Sequence, residues 1–429
     1  MNFKGMFLSY GSLDREDVYK ITWAGEGKMF TPKEGASFEG MFEMVQIQEL
    51  DLSQLDINKA SNLSYMFEGY GQRIALSKEI LQPFPGKIIW PKYEDESGNP
   101  LPIKPAFSTL DGQEGANMSY MFLNYRMCGE QQNNLLDLSN WDTSNVRNFQ
   151  GMFSGFNGYK LLGGGCYGNN VKFPKDGLKT GAQANISYMF QNSKVYTNLI
   201  AISEGQEGYT DFVYQDPVIK LSEYIKTENV VNFSHVFDGA YSELNTEYSD
   251  GGRHWYHSVT IDISDISYSV ATDMSYMFAN AFTKTDFVNA PGSATELTGR
   301  LVLFDKSETN DDVKTINGEH YFDGCNVNCI DLGSDESIFD TSIFNNLSYF
   351  FANYGYRDCL GKIKGLGIFD MSNATSIAGL FYNSYFTTED DKPLELDWSS
   401  DAIAENISKV TDMSYMFYGF KPKKLDIHT

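Results

Sequence analysis

Asn117-Met118-Ser119-Tyr120-Met121-Phe122-Leu123-Asn124 is one of the clearest copies of a phrase that returns twelve times along the 429 residues. Each copy starts with a short polar residue and an apolar one, usually continues as Ser-Tyr-Met-Phe, and most often ends in Gly or Asn. Its final phenylalanines are Phe7, Phe42, Phe67, Phe122, Phe153, Phe190, Phe237, Phe278, Phe322, Phe351, Phe381 and Phe417. A phrase that recurs at spacings of tens of residues predicts a stacked-repeat protein, and such proteins more often bind than catalyse.

The residue types of the phrase indicate a helix when positions are counted from the final Phe as zero. Position −5 is Asn, Asp or Ser in all twelve copies, and these residues cap helix N termini. Position +2 is Gly or Asn in ten copies, the exceptions being Ser9 and Met44, and both residue types end helices. Positions −4, −1, 0 and +3 are mainly apolar and lie on one helical face. We therefore predict one capped helix of about two turns per repeat.

Alternating segments precede many copies and predict half-buried strands. Examples are Leu50-Asp51-Leu52-Ser53, Leu136-Asp137-Leu138-Ser139, Ile261-Asp262-Ile263-Ser264 and Leu394-Glu395-Leu396-Asp397. Stacked units of strand and helix would place their strands in one parallel sheet. The predicted fold is thus an α/β repeat solenoid of the leucine-rich-repeat kind, with a parallel β-sheet, one short capped helix per repeat and about twelve repeats.

The phrase runs through nearly the whole chain, so residues 1–429 are predicted to form a single solenoid rather than several domains. The distance from strand to phrase is nearly constant, whereas the return from phrase to strand varies. Long return-loop insertions occupy 70–87, 191–216, 238–258 and 279–300, and a proline-rich excursion occupies 91–105. Insertions confined to one half of a repeat map to one edge of a solenoid, which is often the binding edge.

The charge of the chain bears on its partners. Lys and Arg total 33 against 57 Asp and Glu, for a formal net charge of −24. A surface this acidic repels phosphate backbones and anionic lipids, so nucleic-acid binding and membrane-surface binding are not expected. We interpret the acidic charge mainly as a contribution to solubility. The alternative, more specific explanation is that the chain binds a cationic partner. A calcium loop of the Asp-x-Asp-x-Asp-Gly type is not found.

No constellation for catalysis, metal binding or a cofactor emerges. The five cysteines are too few for a disulfide framework, and Cys325, at position +3 of its copy, is predicted to be a small buried hydrophobic residue. His235 and His320 occupy the position −2 where other copies have Tyr, so they are interpreted as structural aromatics. His254 and His257 lie in a loop without further ligands. We therefore expect neither an enzyme nor a metalloprotein.

The tyrosines at position −2 allow two interpretations. They lie off the apolar face and recur as Tyr65, Tyr120, Tyr188, Tyr276, Tyr349 and Tyr415. They could form an aromatic ladder for a sugar chain, but repeated aromatics on adjacent rungs more often pack on one another. The structural interpretation is therefore favoured.

Targeting signals are not visible in the sequence. The sequence starts inside a repeat, and neither a signal peptide nor a membrane-spanning segment is visible. The expected location is the surface of a virion or of a bacterial cell. Either an export leader has been removed, or the protein leaves the cytoplasm by another route.

One segment resembles a known repeat family. Together with Met152-Phe153, it reads Leu136-Asp137-Leu138-Ser139-Asn140-Trp141-Asp142-Thr143-Ser144-Asn145-Val146-Arg147-Asn148-Phe149. It is similar to the BspA-type leucine-rich repeat of bacterial surface proteins, which is common in mycoplasmas and lactic acid bacteria. The resemblance implies an LRR-like solenoid and adhesion to host proteins or other cells. Family members usually carry leaders and more regular repeats, and these two departures suggest a virion component with elaborated loops.

The predicted function is a non-catalytic scaffold that binds a protein or glycan on a cell surface, or neighbouring virion proteins. It would act as a surface adhesin or as a virion structural or host-attachment component. The alternatives are a glycan-degrading, tailspike-like enzyme and an exported cell-surface adhesin that has lost its leader. Exposed aromatics beside acids in the insertions are the candidate contacts. They are Tyr209, Phe212, Trp255, Tyr256 and Phe287.

Overall fold

The computed structural model describes most of the chain, including all twelve copies of the phrase. The described residues are 1–10, 21, 29–45, 47, 49–70, 87–108, 114–125, 136–156, 171–195, 201–204, 212–214, 217–241, 254–255, 258–282, 298–304, 315–327, 329–334, 337–355, 361–387, 395–397, 406–422 and 424–426. The chain forms two units, and each contains six copies of the phrase. Unit 1 comprises Met1–Gln215, Ser222–Asn229 and Thr246–Trp255, and unit 2 comprises Asp216–Leu221, Val230–Asn245 and Tyr256–Thr429.

Strands dominate both units. Those of unit 1 are β1 (Ala36–Ser37), β2 (Glu49–Asp51), β3 (Ala60–Asn62), β4 (Lys87–Ile89), β5 (Tyr93–Glu94), β6 (Pro100–Leu101), β7 (Ala116–Asn117), β8 (Leu136–Asp137), β9 (Val146–Asn148), β10 (Val171–Lys172), β11 (Ala184–Asn185), β12 (Ala201–Glu204), β13 (Phe212–Tyr214) and β16 (His254–Trp255). Those of unit 2 are β14 (Val218–Lys220), β15 (Val230–Asn232), β17 (Ser258–Asp262), β18 (Thr298–Val302), β19 (Ile316–Asn317), β20 (Cys329–Asp331), β21 (Gly333–Ser334), β22 (Ser337–Ile338), β23 (Phe344–Asn346), β24 (Gly361–Lys364), β25 (Phe386–Thr387), β26 (Glu395–Asp397) and β27 (Lys424–Asp426). Helical segments are short: α1 (Leu221–Tyr224) and 3-10 turns at Ile57–Lys59, Thr341–Ile343 and Leu366–Ile368.

The helix predicted for each phrase is wrong, because every copy folds as consecutive turns. The residues at positions −2 and +2 have positive φ in all twelve copies, for example 57° at Tyr65 and 63° at Gly69. Right-handed helices do not contain such residues, whereas the third position of a type II turn requires one. In this copy, the N–H groups of Met66 and Glu68 donate to carbonyls three residues earlier, at Leu63 and Tyr65.

The other N–H groups of the phrase build a ladder between neighbouring rungs, where a rung is one copy of the phrase. Those of Tyr65 and Phe67 donate to the carbonyls of Ser119 and Met121 in the next rung, at 3.0 and 2.9 Å. The Ser64 N–H donates to the side chain of Asn62, at position −5, over 3.1 Å. The same bond from position −3 to the side chain at −5 forms in all twelve copies. The short polar residue at position −5 therefore stabilises a turn and does not cap a helix.

Parallel pairing connects six rungs within each unit. In unit 1, β1, β3, β7, β9 and β11 are adjacent and parallel, and Asn2 bridges to Ser37 ahead of them. In unit 2, parallel bridges link the position −5 residues in the order Asn232, Asp273, Asn317, Asn346, Ser376 and Asp412. Each unit is therefore a β-rich stack of repeats. That residues 1–429 form a single solenoid stays a prediction.

The alternating segments are strands, as predicted. Leu50, Leu136, Ile261 and Leu396 lie in β2, β8, β17 and β26. Each pairs in parallel with the corresponding strand of another repeat, as in β2 with β4 and β17 with both β14 and β18. In β2, Leu50 is buried while its two neighbours are exposed, which is the expected consequence of period-two alternation.

The phenylalanines at position zero form a continuous column in the core of each unit. Their rings stack nearly parallel, with centroids 5.4–5.7 Å apart from Phe7 to Phe190 in unit 1. The column of unit 2, from Phe237 to Phe417, has spacings of 5.7–6.0 Å. Offset stacking of this kind adds to the stability gained from burying apolar area.

The buried hydroxyl of Tyr321, in the core of unit 2, has no hydrogen-bond partner among the described residues. Tyr321 is fully buried beside Phe344 and Phe350, and its Oη meets no acceptor. A buried polar group without a partner loses its hydration without compensation. We expect Tyr321→Phe to raise the free energy of unfolding by about 1 kcal/mol, measured by urea denaturation.

Tyr354→Phe is the matched control, since its buried hydroxyl donates to the Lys362 carbonyl over 2.6 Å. Removing this hydroxyl should lower the free energy of unfolding by about 1 kcal/mol. If Tyr321→Phe destabilised the protein as much as Tyr354→Phe, the Tyr321 hydroxyl would have a hydrogen-bond partner after all.

Candidate interaction surfaces

Two of the long insertions meet in a small sheet of unit 1. Strands β12 and β13, from insertion 191–216, pair antiparallel, with Glu204 opposite Phe212. Strand β16, from insertion 238–258, pairs in parallel with β13, with Val213 opposite Trp255. The three strands form a separate sheet in the order β12-β13-β16. The second insertion therefore extends a hairpin that belongs to the first.

This sheet brings two of the five candidate contact residues onto adjacent strands. Phe212 is paired with His254, and Trp255 follows one position later along β16. Tyr209, Tyr256 and Phe287 lie outside the described residues. The backbone thus places Phe212 and Trp255 on neighbouring strands, and their role as contacts stays a prediction.

The proline-rich excursion is an ordered hairpin. Strands β5 and β6 pair antiparallel, with Tyr93 opposite Leu101. The Tyr93 hydroxyl donates to the Asp56 carboxylate over 3.0 Å, and this contact anchors the hairpin to a neighbouring repeat. Gly98, at the tip, has a φ of 79° and open space around it. The excursion is therefore a fixed surface feature.

The aromatic rings at position −2 stack face to face on the surface of both units. In unit 1, the centroids of Tyr65 and Tyr120 are 5.0 Å apart. Desolvation raises the pKa of both tyrosines, so their hydroxyls stay protonated at neutral pH. Rings stacked this closely present their edges to solvent, while a sugar ring needs an open aromatic face. The geometry within the stack supports the structural interpretation of these tyrosines.

The corresponding stack in unit 2 alternates histidine and tyrosine. His235, Tyr276, His320 and Tyr349 lie 4.4, 4.4 and 4.7 Å apart between successive centroids. Both histidines are thus structural aromatics, as the sequence indicates. The rings are partly exposed and line one face of four successive rungs.

Each histidine of the stack also pairs with an aspartate three residues later, a feature that the sequence analysis missed. His235 Nδ1 lies 3.0 Å from Asp238 Oδ2, and His320 Nδ1 lies 2.6 Å from Asp323 Oδ2. An asparagine of the next rung completes each network, and Asn353 Nδ2 donates to Asp323 Oδ1 over 2.7 Å. The spacing His-x-x-Asp was the available signal. Because both carboxylates already form hydrogen bonds with histidine and asparagine side chains, we interpret the networks as structural contacts within and between rungs.

Cys325 is a buried thiol, as predicted. It is 2% exposed, and burial raises its pKa to about 12. It therefore stays protonated and unreactive in the folded state at neutral pH. In the described parts of the chain, no cluster of three or more His, Cys, Asp or Glu side chains is placed to hold a metal ion. No helix among those residues is long and apolar enough to span a membrane.

The fold defines a β-rich repeat protein built from parallel-paired rungs, and sequence comparison identifies its family. The family model described as Mycoplasma protein of unknown function, DUF285, matches residues 103–200, 218–291 and 303–429. Because these matches cover well over half of the chain, the protein belongs to the DUF285 family. No curated protein and no solved structure matches it.

Proposed function

We propose that this chain is a non-catalytic scaffold that binds a protein or glycan through its insertions. It would act as a surface adhesin of the BspA-like, leucine-rich-repeat type, or as a structural or host-attachment component of a virion. The observation that carries the proposal is the β12-β13-β16 sheet, in which insertions of two repeats combine into one surface. Loops that merely connect rungs have no need to pair with one another.

The hydrogen bonding within the rungs also supports a structural role for the rungs and a binding role for the insertions. In the rung that contains Phe67, every backbone N–H from Leu63 to Tyr70 donates to a turn, to the next rung or to the Asn62 side chain. A surface saturated in this way offers few free polar groups to a partner. Recognition would therefore rest on what differs between repeats, namely the insertions.

Charge and residue type narrow the class of partner. The formal net charge of −24 disfavours polyanions, so a neutral glycan or a neutral or basic protein surface fits better. Aromatic residues are the usual energetic anchors of such interfaces. Phe212 and Trp255, on adjacent strands, are the proposed anchors that the structure describes, and Tyr209, Tyr256 and Phe287 complete the set.

The experiment replaces the parts of the three insertions that lie beyond the ladder, residues 196–216, 242–257 and 283–297, together with short Gly-Ser connectors. Because the ladder hydrogen bonds of Gln191, Gly239, Ala279 and Asn280 and the phenylalanine columns are kept, we expect circular dichroism and melting to show a folded protein. Attachment of labelled protein to a neutral-glycan array and to intact bacterial and animal cells should fall to background. A matched control shortens the exposed hairpin tip at 95–99, which should leave attachment unchanged.

Two outcomes would overturn the proposal. Undiminished attachment by the triple replacement would exclude the insertions as the binding surface. Shortened products from a polysaccharide incubated with the purified chain, lost on single carboxylate substitutions, would favour the glycan-degrading alternative. The genes beside this one separate the two versions of the proposal, since capsid or tail genes favour a virion component.

A further inference from the structure

The tyrosine stack of unit 1 has one ring face that no described ring covers. Tyr65 stacks on Tyr120 of the next rung, with centroids 5.0 Å apart and planes 14° from parallel. The preceding rung has Gly40 at position −2, so it places no ring against the other face of Tyr65. The backbone is alike in both rungs, with a φ of 58° at Gly40 and 57° at Tyr65. The stack thus lacks one ring, while the turn that would carry it is unchanged.

A carboxylate occupies the place of the missing side chain. A Cβ at Gly40 would lie 2.8 Å from Oε2 of Glu43, which is at position +1 of the same rung. Glu68 is at position +1 of the next rung, and burial together with the nearby Glu43 carboxylate raises its pKa. Burial, and after it the carboxylates of Glu68, Glu39 and Glu43, raises the pKa of the Tyr65 hydroxyl, so these carboxylates lie close to the ring. Negative charge therefore gathers beside an uncovered aromatic face.

We propose that this end of the stack binds an arginine side chain of a partner protein. The arginine site consists of Gly40, Glu43, Tyr65 and Glu68. A guanidinium group is planar, so it fits against the free face of Tyr65, where the next ring of the stack would lie, and it is attracted to that face as a cation. Its N–H groups point outward in a fork that suits the carboxylates of Glu43 and Glu68. The site lies outside the three insertions, so it is a second contact surface, independent of the function proposed above.

Charge and shape together select arginine as the occupant. Within the protein, Lys4 pairs with Glu39 over 2.7 Å, and Glu43 and Glu68 form no ion pair with any described residue. A lysine of a partner would pair with these two carboxylates but has no planar group to stack on Tyr65. A neutral sugar would stack on Tyr65 but would leave both carboxylates without a counter-charge. The net charge of −24 also attracts basic partners to the surface.

Three short peptides test which ligand the arginine site takes. The probe has one central arginine between glycines, blocked termini and a trifluoroacetyl label, and fluorine NMR measures its binding to the full chain. A dissociation constant on the order of 1 mM is expected for so small a contact. The matched lysine peptide should bind about threefold more weakly, because it cannot stack on the ring. The citrulline peptide has the same shape without the charge and should not bind. Equal binding of the arginine and lysine peptides, or binding of the citrulline peptide, would overturn the proposal.

Gly40→Tyr closes the arginine site by supplying the missing ring. Tyr65 and Tyr120 show that tyrosine adopts this left-handed backbone at position −2, and the Glu43 carboxylate is the end of a flexible side chain that can move aside. The variant should therefore fold, as melting curves can check, and should bind the arginine peptide at least about tenfold more weakly. Tyr65→Leu should weaken binding about threefold, whereas Tyr65→Phe keeps the ring face and should bind like the parent. Unchanged binding by Gly40→Tyr would overturn the proposal.

A pair of double variants separates the site from the overall charge. Glu43→Gln with Glu68→Gln removes the two carboxylates, keeps their shape and should weaken binding of the arginine peptide about fivefold. Glu94→Gln with Glu96→Gln makes the same change of charge on the exposed hairpin and should bind like the parent. Equal weakening by both pairs, or displacement of the peptide by a neutral oligosaccharide, would overturn the proposal. The chain with replaced insertions should bind the peptide like the parent, so this result does not depend on the function of the insertions.

Discussion

Replacing Phe122 with alanine should lower the free energy of unfolding by about 3–5 kcal/mol, the range for truncating a buried aromatic side chain. Phe122 is fully buried, and its ring stacks on Phe67 and Phe153 with centroids 5.6 Å away on both sides. The cavity would interrupt the phenylalanine column, and two rigid neighbouring rungs cannot collapse to fill it. Urea denaturation followed by circular dichroism measures the loss.

Phe107→Ala is the matched control, because Phe107 is 54% exposed and belongs to no ring column among the described residues. We expect this substitution to change the free energy of unfolding by less than about 0.5 kcal/mol. If Phe122→Ala unfolded at the same denaturant concentration as the parent, the continuous core column would be refuted.

The substitution Gly151→Ala should destabilise the protein by about 1–3 kcal/mol, and the sign of this effect separates turn from helix. Gly151 stands at position −2 with a φ of 60°, and a Cβ there would collide with the ring of Tyr120. Alanine at position 151 would therefore be strained in the left-handed backbone conformation and would displace the stacked ring of Tyr120. In a helix, the same substitution would stabilise by roughly 0.5–1 kcal/mol.

Gly367→Ala provides the comparison, since its added Cβ would meet no atom within 4 Å. A change within about 0.5 kcal/mol is expected there. Stabilisation by Gly151→Ala in thermal or urea unfolding would restore the helical interpretation of the phrase.

Much of the architecture could be predicted from residue types. The twelve copies, the alternating strands, their parallel pairing and the burial of Cys325 all follow from apolar spacing, because burial depends chiefly on which side chains are apolar. The helix could not be rejected so simply, since an Asn at −5 and a Gly at +2 suit both helix ends and tight turns. The missed signal was glycine at position −2 in four copies: Gly5, Gly40, Gly151 and Gly379.

The candidate contact surface was predictable only in part. Sequence spacing identified the insertions, because they interrupt an otherwise regular repeat. That β13 and β16 pair, and so place Phe212 and Trp255 on adjacent strands, depends on residues about 40 positions apart meeting in space. The His235–Asp238 and His320–Asp323 pairs were visible as spacing but acquired meaning only once a turn placed the two side chains together.

The sequence by itself determined which residues enter the core and which repeat with which, since those properties follow from hydrophobic pattern. Only the tertiary structure decided the backbone of the phrase. A helix of eight residues leaves about half of its N–H and C=O groups unpaired at its two ends. Stacked turns send alternate N–H groups, such as those of Tyr65 and Phe67, to the next rung and satisfy the others within the rung. The neighbouring repeat, which a single phrase does not contain, selects turns over helix.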